Sequence, residues 1–318
     1  MKSCLVTGAG GFIGSALTRR LEESNVRVYR LSRNASGPDT IAADLGRGPI
    51  AGLNEVRPEV VFHLAARVHM MDEGPDAETE HTRVTVDGTR YLLQAAADAG
   101  AKVFVFFSSS AVMAEGAASA LDEKSPPAPT SAYGRAKLRA EELVLGMNGN
   151  GGMRTVCLRP PLVYGPGQKG HLPRMIRMIE RGAFPPLPEY TGKRSVVHVD
   201  DLVSAALLVV ERPEAAGETY IVAEPRAYSS REIYEMVLRA LGKKPPRWHV
   251  PRAALAAAAF AGDIGERLIH RTLPFDSTAL SKLSRNAVYS AAKIERELGF
   301  KPVKSFAASA ADLVGERA

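Results

Sequence analysis

Tyr133 and Lys137 stand four residues apart in TSAYGRAKLRAEE (130–142). Four residues is just over one helical turn, so on a helix both side chains project from one face. A nearby ammonium favours phenolate, so the pairing is expected to lower the phenol's pKa. An exposed Tyr and Lys also meet at this spacing by chance, and the pair gains meaning only from chemistry elsewhere in the chain. That chemistry is offered by VTGAGGFIG (6–14), where Gly8, Gly11 and Gly14 follow an apolar run and open an amphipathic one. Glycine there permits a tight turn, close approach of backbone to a pyrophosphate, and contact of helix with sheet. Phe12 and Ile13 begin the helix, whose free N–H groups and positive dipole end suit phosphate. A dinucleotide site is expected, and with it a redox step: hydride moves at a carbon while a side chain exchanges the proton of its oxygen.

The elements that must position these residues read clearly. Strand-like runs at SCLV (3–6), VRVYRL (26–31), EVVFHLAA (59–66), KVFVFFSSS (102–110) and RTVCLRP (154–160) alternate with helical patterns at 13–23, 80–98 and 133–147. This alternation predicts an α/β fold, a Rossmann-type doubly wound parallel sheet whose ligands lie at the carboxyl ends of the strands. Residues 1–165 form the expected dinucleotide-binding domain, with 195–223 packing back onto it. Residues 166–318, rich in proline, form a smaller mixed substrate domain. The second strand ends in VYRLSRN without an acid to hold the ribose hydroxyls of NAD. Arg30 and Arg33 there suit the extra phosphate of NADP. Asp44 and Leu45 follow a third strand and are placed to flank the adenine.

Composition mostly excludes. The chain has 318 residues, 45% of them apolar, enough for one large domain or two smaller ones. No apolar run reaches the roughly 18 residues of a membrane span, RAALAAAAFAG (252–262) being the nearest and too short, so no membrane partner is expected. MKSCLVTGAGG does not read as a signal peptide. Cys4 and Cys157 lie in strand-like runs without CxxC spacing, which suggests a reducing, cytoplasmic setting and neither disulfide nor metal. Net charge is +6, from 41 basic and 35 acidic residues, with no cluster dense enough for nucleic acid. His63, inside a strand run, reads as a core histidine rather than a catalyst.

TGxxGFIG at the start, HLAA (63–66), SSSAV (108–112), YGRAK (133–137), LRPPLVYGPG (158–167) and RSVVHVDDL (194–202) fall in an order that resembles the extended short-chain dehydrogenases, in particular the NAD-dependent epimerase/dehydratase family. The likeness runs from residue 3 to about 224 and returns at YSAAKIERELGFKP (289–302). It implies a catalytic hydroxyl at Ser109, three residues before Val112, with Ser110 the alternative. It makes Tyr133 the acid/base and Lys137 its electrostatic partner. It implies cofactor contacts at Leu64, Ala65, Ala66, Tyr133, Lys137 and Pro160, and substrate contacts at Ser109, Ser110, Arg194 and Arg285, the two arginines toward a diphosphate. The chain also departs from the family. Ser110 and Ala111 replace the Asp-Glu pair of the 4,6-dehydratases, VMAEG (112–116) replaces an ending in Tyr-Gly, and Thr85 and Leu162 stand where asparagine is usual.

The implied activity is NAD(P)-dependent hydride transfer at a sugar hydroxyl or ketone, foremost as a nucleotide-sugar (UDP-sugar) 4-epimerase that retains NAD. The alternative is an NADPH-dependent ketoreductase of a 4-keto nucleotide sugar or of a sterol- or flavonoid-like ketone. Arg30, Arg33, the missing amides and the apolar stretch 251–261 favour that alternative. A catalytically silent NADP-binding sensor is a third reading, which the intact Tyr/Lys pair opposes. The resemblance also implies a homodimer joined through helices that include the YxxxK helix.

Overall fold

The computed structural model describes residues 1–34, 37–67, 76–168, 170–189, 192–269 and 275–315. Unbroken runs of Val, Phe, Leu and Cys are what strands buried on both faces require. They supply most of β1 (Ser3–Thr7), which leads through the glycine turn to α1 (Phe12–Glu23) and β2 (Arg27–Ser32). Then come β3 (Thr40–Ala42), α2 (Leu53–Val56) and β4 (Val60–His63). A long helix follows as α3 (Ala77–His81), a π-helical stretch (Thr82–Asp87) and α4 (Gly88–Asp98). β5 (Val103–Phe107), α5 (Ala132–Gly146) and β6 (Arg154–Arg159) complete the first half. The second half runs β7 (Leu162–Tyr164), α6 (His171–Glu180), β8 (Lys193–Arg194), β9 (Val196–His198) and α7 (Val199–Glu211). It continues with β10 (Glu218–Ile221), β11 (Tyr228–Ser229), α8 (Ser230–Ala240), α9 (Arg252–Ile269), α10 (Ser277–Ser284), α11 (Ala292–Leu298) and α12 (Phe306–Gly315).

The main sheet has seven parallel strands in the order β10-β6-β5-β4-β1-β2-β3, the doubly wound α/β arrangement. Helices α1, α7 and α11 bury Leu17, Leu21, Leu202, Val209 and Ile294 against one face. Helices α4 and α5 bury Leu92, Leu93, Ala140 and Val144 against the other, over Leu5, Val61 and Phe104. Strand order reverses between β1 and β4, and a crevice at their carboxyl ends is where such sheets take ligands.

Two expected elements differ in extent. The run at 59–66 leaves the sheet after His63, because the Ala65 N–H turns to Thr7 Oγ1 (3.0 Å) instead of a neighbouring strand. The helix expected over 80–98 begins at Ala77, and its π-helical stretch leads into Gly88 and Thr89, which face the sheet.

Past β6 the chain builds a smaller cluster around Tyr164, Ile176, Val196, Tyr228, Val237 and Phe306. Buried Glu224 ties it together: Tyr164 Oη (2.5 Å), Tyr228 Oη (2.9 Å) and the Phe306 N–H (3.1 Å) all donate to its carboxylate. Asp201, from the HVDDL run, accepts the N–H groups of Val303 (3.0 Å) and Lys304 (2.9 Å) and so anchors the C-terminal segment to α7. Among the described residues no helix is long and apolar enough to cross a membrane.

Candidate active site

The glycine turn is shaped by contacts that leave no room for side chains. Gly8 has φ +70°, and a Cβ there would stand 3.0 Å from Ala65 N; at Gly14 it would stand 2.1 Å from Gly8 O. These two glycines are required by the packing of α1 on the sheet. Gly10 is different, since a Cβ there would meet nothing within 4 Å. Gly11 sits at the N-cap of α1 and offers no side chain to its first amides. Beside Phe12 and Ile13, both partly buried, the turn therefore presents open space and an uncapped helix N-terminus. That combination fits a pyrophosphate.

At the end of β2, Arg30 is ion-paired with Glu22 of α1 in a half-exposed surface pair, and Arg33 is exposed. Asp44 accepts the Gly46 N–H (3.0 Å) and pairs with Arg47 (3.3 Å), while Leu45 is buried against Gly88.

The crevice between β1 and β4 is held by His63. Thr89 Oγ1 donates to the Thr85 carbonyl, so it accepts from His63 Nε2–H at 3.0 Å. Nδ1 then accepts from the Thr7 hydroxyl at 2.7 Å, whose oxygen in turn accepts the Ala65 N–H. Every polar atom of the ring is satisfied, and burial drives the pKa down to about 3, so His63 stays neutral. It is a structural histidine that fixes the Leu64–Ala66 loop opposite Gly8.

The hydroxyl groups converge at the ends of β5 and α5. Ser131 caps α5 by accepting the Gly134 N–H (3.1 Å), which puts Tyr133 in the helix's first turn. Gly134 is what lets this turn approach the 109–112 segment, since a Cβ there would lie 2.3 Å from Ala111 O. The Ser109 hydroxyl stands beside the Tyr133 phenol, close enough to act against the upward shift of its pKa. Ser109 also accepts the Ala111 N–H (3.1 Å), so one hydroxyl both caps its turn and stands beside the phenol. Ser110 faces elsewhere: it lies beside Tyr289, where it acts against the upward shift of that phenol's pKa, and its N–H donates to the Pro160 carbonyl at 2.9 Å.

Lys137 is 1% exposed. Its Nζ donates to the Phe107 carbonyl (2.7 Å) and lies 6.0 Å from the centre of the Tyr133 ring. Burial lowers its pKa to about 7, against the opposing field of Glu141. Tyr133 is pushed up to about 12 by burial, which outweighs the opposing effect of the Ser109 hydroxyl. The expected lowering of the phenol by Lys137 is thus not found in the protein alone: the ammonium is turned toward Phe107, and desolvation of the phenolate dominates.

Glu141, one turn beyond Lys137, forms a buried bidentate ion pair with Arg159 of β6, with contacts of 2.9 and 2.6 Å. On the far wall, Arg194 of β8 bridges to Ala287, and exposed Arg285 ends α10 two residues earlier. The 285–289 segment runs beside β8 through Ala287 N–H to Lys193 O (2.8 Å) and Ser195 N–H to Ala287 O (2.9 Å). This carries Tyr289, which is 5% exposed, to Ser110 and within the field of Arg194. Sequence reasoning missed Thr7, Thr89, Gly134, Glu141, Arg159 and Tyr289. All lie in or beside recognisable motifs, but Glu141, Arg159 and Tyr289 show their meaning only through partners distant in the chain. Among the described residues no group of acidic, His or Cys side chains is arranged to hold a metal.

Comparison with known proteins gives this geometry a context. A model of the NAD dependent epimerase/dehydratase family matches residues 4–223. The chain is 32% identical over 260 residues to a UDP-glucose 4-epimerase of Vibrio cholerae, covering 79% of this chain and 78% of that protein. It is 30% identical over 309 residues to a 4-hydroxy-2-methyl-3-oxo-4-farnesyl-3,4-dihydroquinoline-1-oxide ketoreductase of Stigmatella aurantiaca, covering 93% and 90%. Among solved structures, MoeE5 in complex with UDP-glucuronic acid and NAD superposes with a TM-score of 0.74 at 27% identity, over 97% of this chain and 96% of that one.

Proposed function

Starting from the fact that this chain belongs to the NAD dependent epimerase/dehydratase family, whose members are enzymes, we propose that it catalyses hydride transfer at a sugar hydroxyl or ketone, as a 4-epimerase of a UDP-linked sugar. The observation that carries the reading is the convergence of Tyr133, in the first turn of α5, on the Ser109 turn at the end of β5, with Lys137 one turn behind. A nicotinamide dinucleotide held through its pyrophosphate at the glycine turn would supply the hydride acceptor and donor. Tyr133 Oη takes the proton of the substrate hydroxyl as the carbon is oxidised, and returns it on reduction. Ser109 holds the same oxygen in reach. A phenol buried to a pKa of about 12 is a poor base, so positive charge must enter its surroundings for turnover. Lys137, poised near neutrality by its own burial, supplies part of that charge when protonated. Gly8, Gly10, Gly11, Phe12, Ile13 and Gly14 line the phosphate turn, and Leu64–Ala66, Pro160, Asp44 and Leu45 border the rest of the cofactor groove. Arg194 and Arg285 serve the substrate diphosphate.

The likeness to the Vibrio cholerae epimerase and to a structure holding a UDP-sugar with NAD supports this reading. A second reading, an NADPH-dependent ketoreductase, is favoured by exposed Arg33 and by a ketoreductase relative whose likeness extends over 93% of the chain. The test is to incubate the purified protein with UDP-glucose or UDP-galactose and NAD and follow the sugar by NMR. Interconversion with stoichiometric retained NAD supports the epimerase. Reversible NADPH binding with consumption on a ketone substrate would replace it by the reductase.

A further inference from the structure

Helix α9 has two apolar faces where a globular protein needs one. Leu255, Ala259 and Gly262 are buried against the body of the protein. On the opposite side Ala253, Ala257, Phe260 and Ile264 form an i, i+4, i+7, i+11 stripe that faces solvent, with Phe260 63% and Ile264 43% exposed. A helix lying on a water-facing surface carries charge on that side. Here the first acid, Asp263, lies to the flank and bonds the Ser277 hydroxyl (2.5 Å) and N–H (3.0 Å). Glu266 falls on the buried side of the wheel by its spacing from Leu255, Ala259 and Gly262.

The segment entering α9 has the complementary character. Residues 241–262 contain Lys243, Lys244, Arg247 and Arg252, plus His249, and no acidic residue. Lys244 and Arg247 are exposed, and between Arg247 and His249 stands Trp248, 63% exposed and the one tryptophan of the chain. Lys243 and Arg252 hold the segment to the body through the Glu180 carbonyl (2.6 Å) and the Glu189 carbonyl. The Val250 N–H adds a bond to the Pro186 carbonyl (3.0 Å).

We infer that this face, Trp248 with the Ala253–Ile264 stripe of α9, lies on the surface of a bilayer containing anionic lipid, the stripe entering the acyl boundary and Lys244 and Arg247 meeting the headgroups. An apolar helical face, an amphipathic aromatic and flanking cations without acids are the combination such surfaces bind. Self-association is the competing occupant, and the charges oppose it. A two-fold contact through this patch would gather the Lys244 and Arg247 charges of both copies into one interface, with no acidic residue in 241–262 to offset them. The helix lies on the membrane rather than spanning it.

The lone tryptophan is the probe. Purified full-length protein is titrated with vesicles of phosphatidylcholine containing about 30 mol% phosphatidylglycerol, and with pure phosphatidylcholine vesicles. A blue shift of Trp248 emission together with vesicle flotation is expected on the anionic vesicles and much less on the neutral ones. Phe260→Ser/Ile264→Ser lowers partition by roughly tenfold or more with an unchanged circular dichroism spectrum, since both side chains are exposed. Lys244→Gln/Arg247→Gln lowers it by roughly 30-fold. Absence of both shift and flotation, binding undiminished in the double-serine variant, or a shift that follows protein concentration without vesicles would each overturn the assignment.

Discussion

Gly134→Ala is a one-methyl change whose consequence can be worked from distances. The new Cβ would sit 2.3 Å from Ala111 O, 3.0 Å from Pro129 Cβ and 3.1 Å from the Ala111 carbonyl carbon. Real Cβ atoms essentially never come closer than 3.0 Å, so backbone must yield by at least 0.7 Å. Both partners are main chain or ring, so no side chain can swing away. The displacement falls between the first turn of α5 and the 109–112 segment, which means between Tyr133 and Ser109. A misplacement of about 1 Å in such a pair costs on the order of 100-fold in rate, while overpacking costs roughly 1–3 kcal/mol of stability. The assay is turnover under saturating cofactor, with urea denaturation on the same preparation. Gly146→Ala serves as control: it ends the same helix, and a Cβ there meets nothing within 4 Å. Wild-type turnover in a folded Gly134→Ala variant would refute the claim that this glycine sets the Tyr133–Ser109 distance.

Other perturbations probe the remaining parts. Lys137 has its pKa depressed from 10.5 to about 7, so between those values the unfolded chain binds the extra proton and stability rises with pH; below about 7 the penalty is constant. Lys137→Met should flatten that slope between pH 7 and 10 in thermal melts and cost roughly 100-fold in turnover without loss of stability at pH 7. Glu141→Gln leaves the Arg159 guanidinium buried without its counter-ion and should cost about 3–5 kcal/mol in urea denaturation, whereas Glu141→Leu with Arg159→Met recovers most of it. Arg33→Ala should weaken NADPH about tenfold and leave NADH unchanged by fluorescence titration, while Arg30→Ala, which loses the Glu22 pair and a long bond to the Val28 carbonyl, should alter neither. Tyr289→Phe removes the hydroxyl that lies beside Ser110 and should raise KM with kcat held.

Much of this architecture was legible because its signals are local. Consecutive apolar residues mark the strands of the parallel sheet, and a glycine turn at the junction of β1 and α1 carries its meaning within nine residues. Tyr133 and Lys137 announce themselves by helical spacing. The rest depends on pairings across the fold. Thr7 meets His63 only because β1 and β4 are neighbours in the sheet, and His63 meets Thr89 only because α4 packs on that sheet. Tyr289 reaches Ser110 because the 285–289 segment runs beside β8. The sign of the Tyr133 shift was misjudged for the same reason, since spacing shows that a lysine is near but not that both groups are desolvated or that the ammonium faces Phe107. The Arg30–Glu22 pair likewise joins β2 to α1, which spacing along the chain does not show.

The central claim is that Tyr133 exchanges the proton while hydride moves at the adjacent carbon. A single-turnover experiment on Tyr133→Phe, mixing NAD-loaded protein with UDP-glucose or UDP-galactose and following nicotinamide absorbance and sugar NMR, tests it most directly. The expected result is unchanged nucleotide affinity with both hydride transfer and epimerisation slowed by about 100-fold to 10,000-fold. Hydride transfer at the parent rate in the phenylalanine variant would contradict the account.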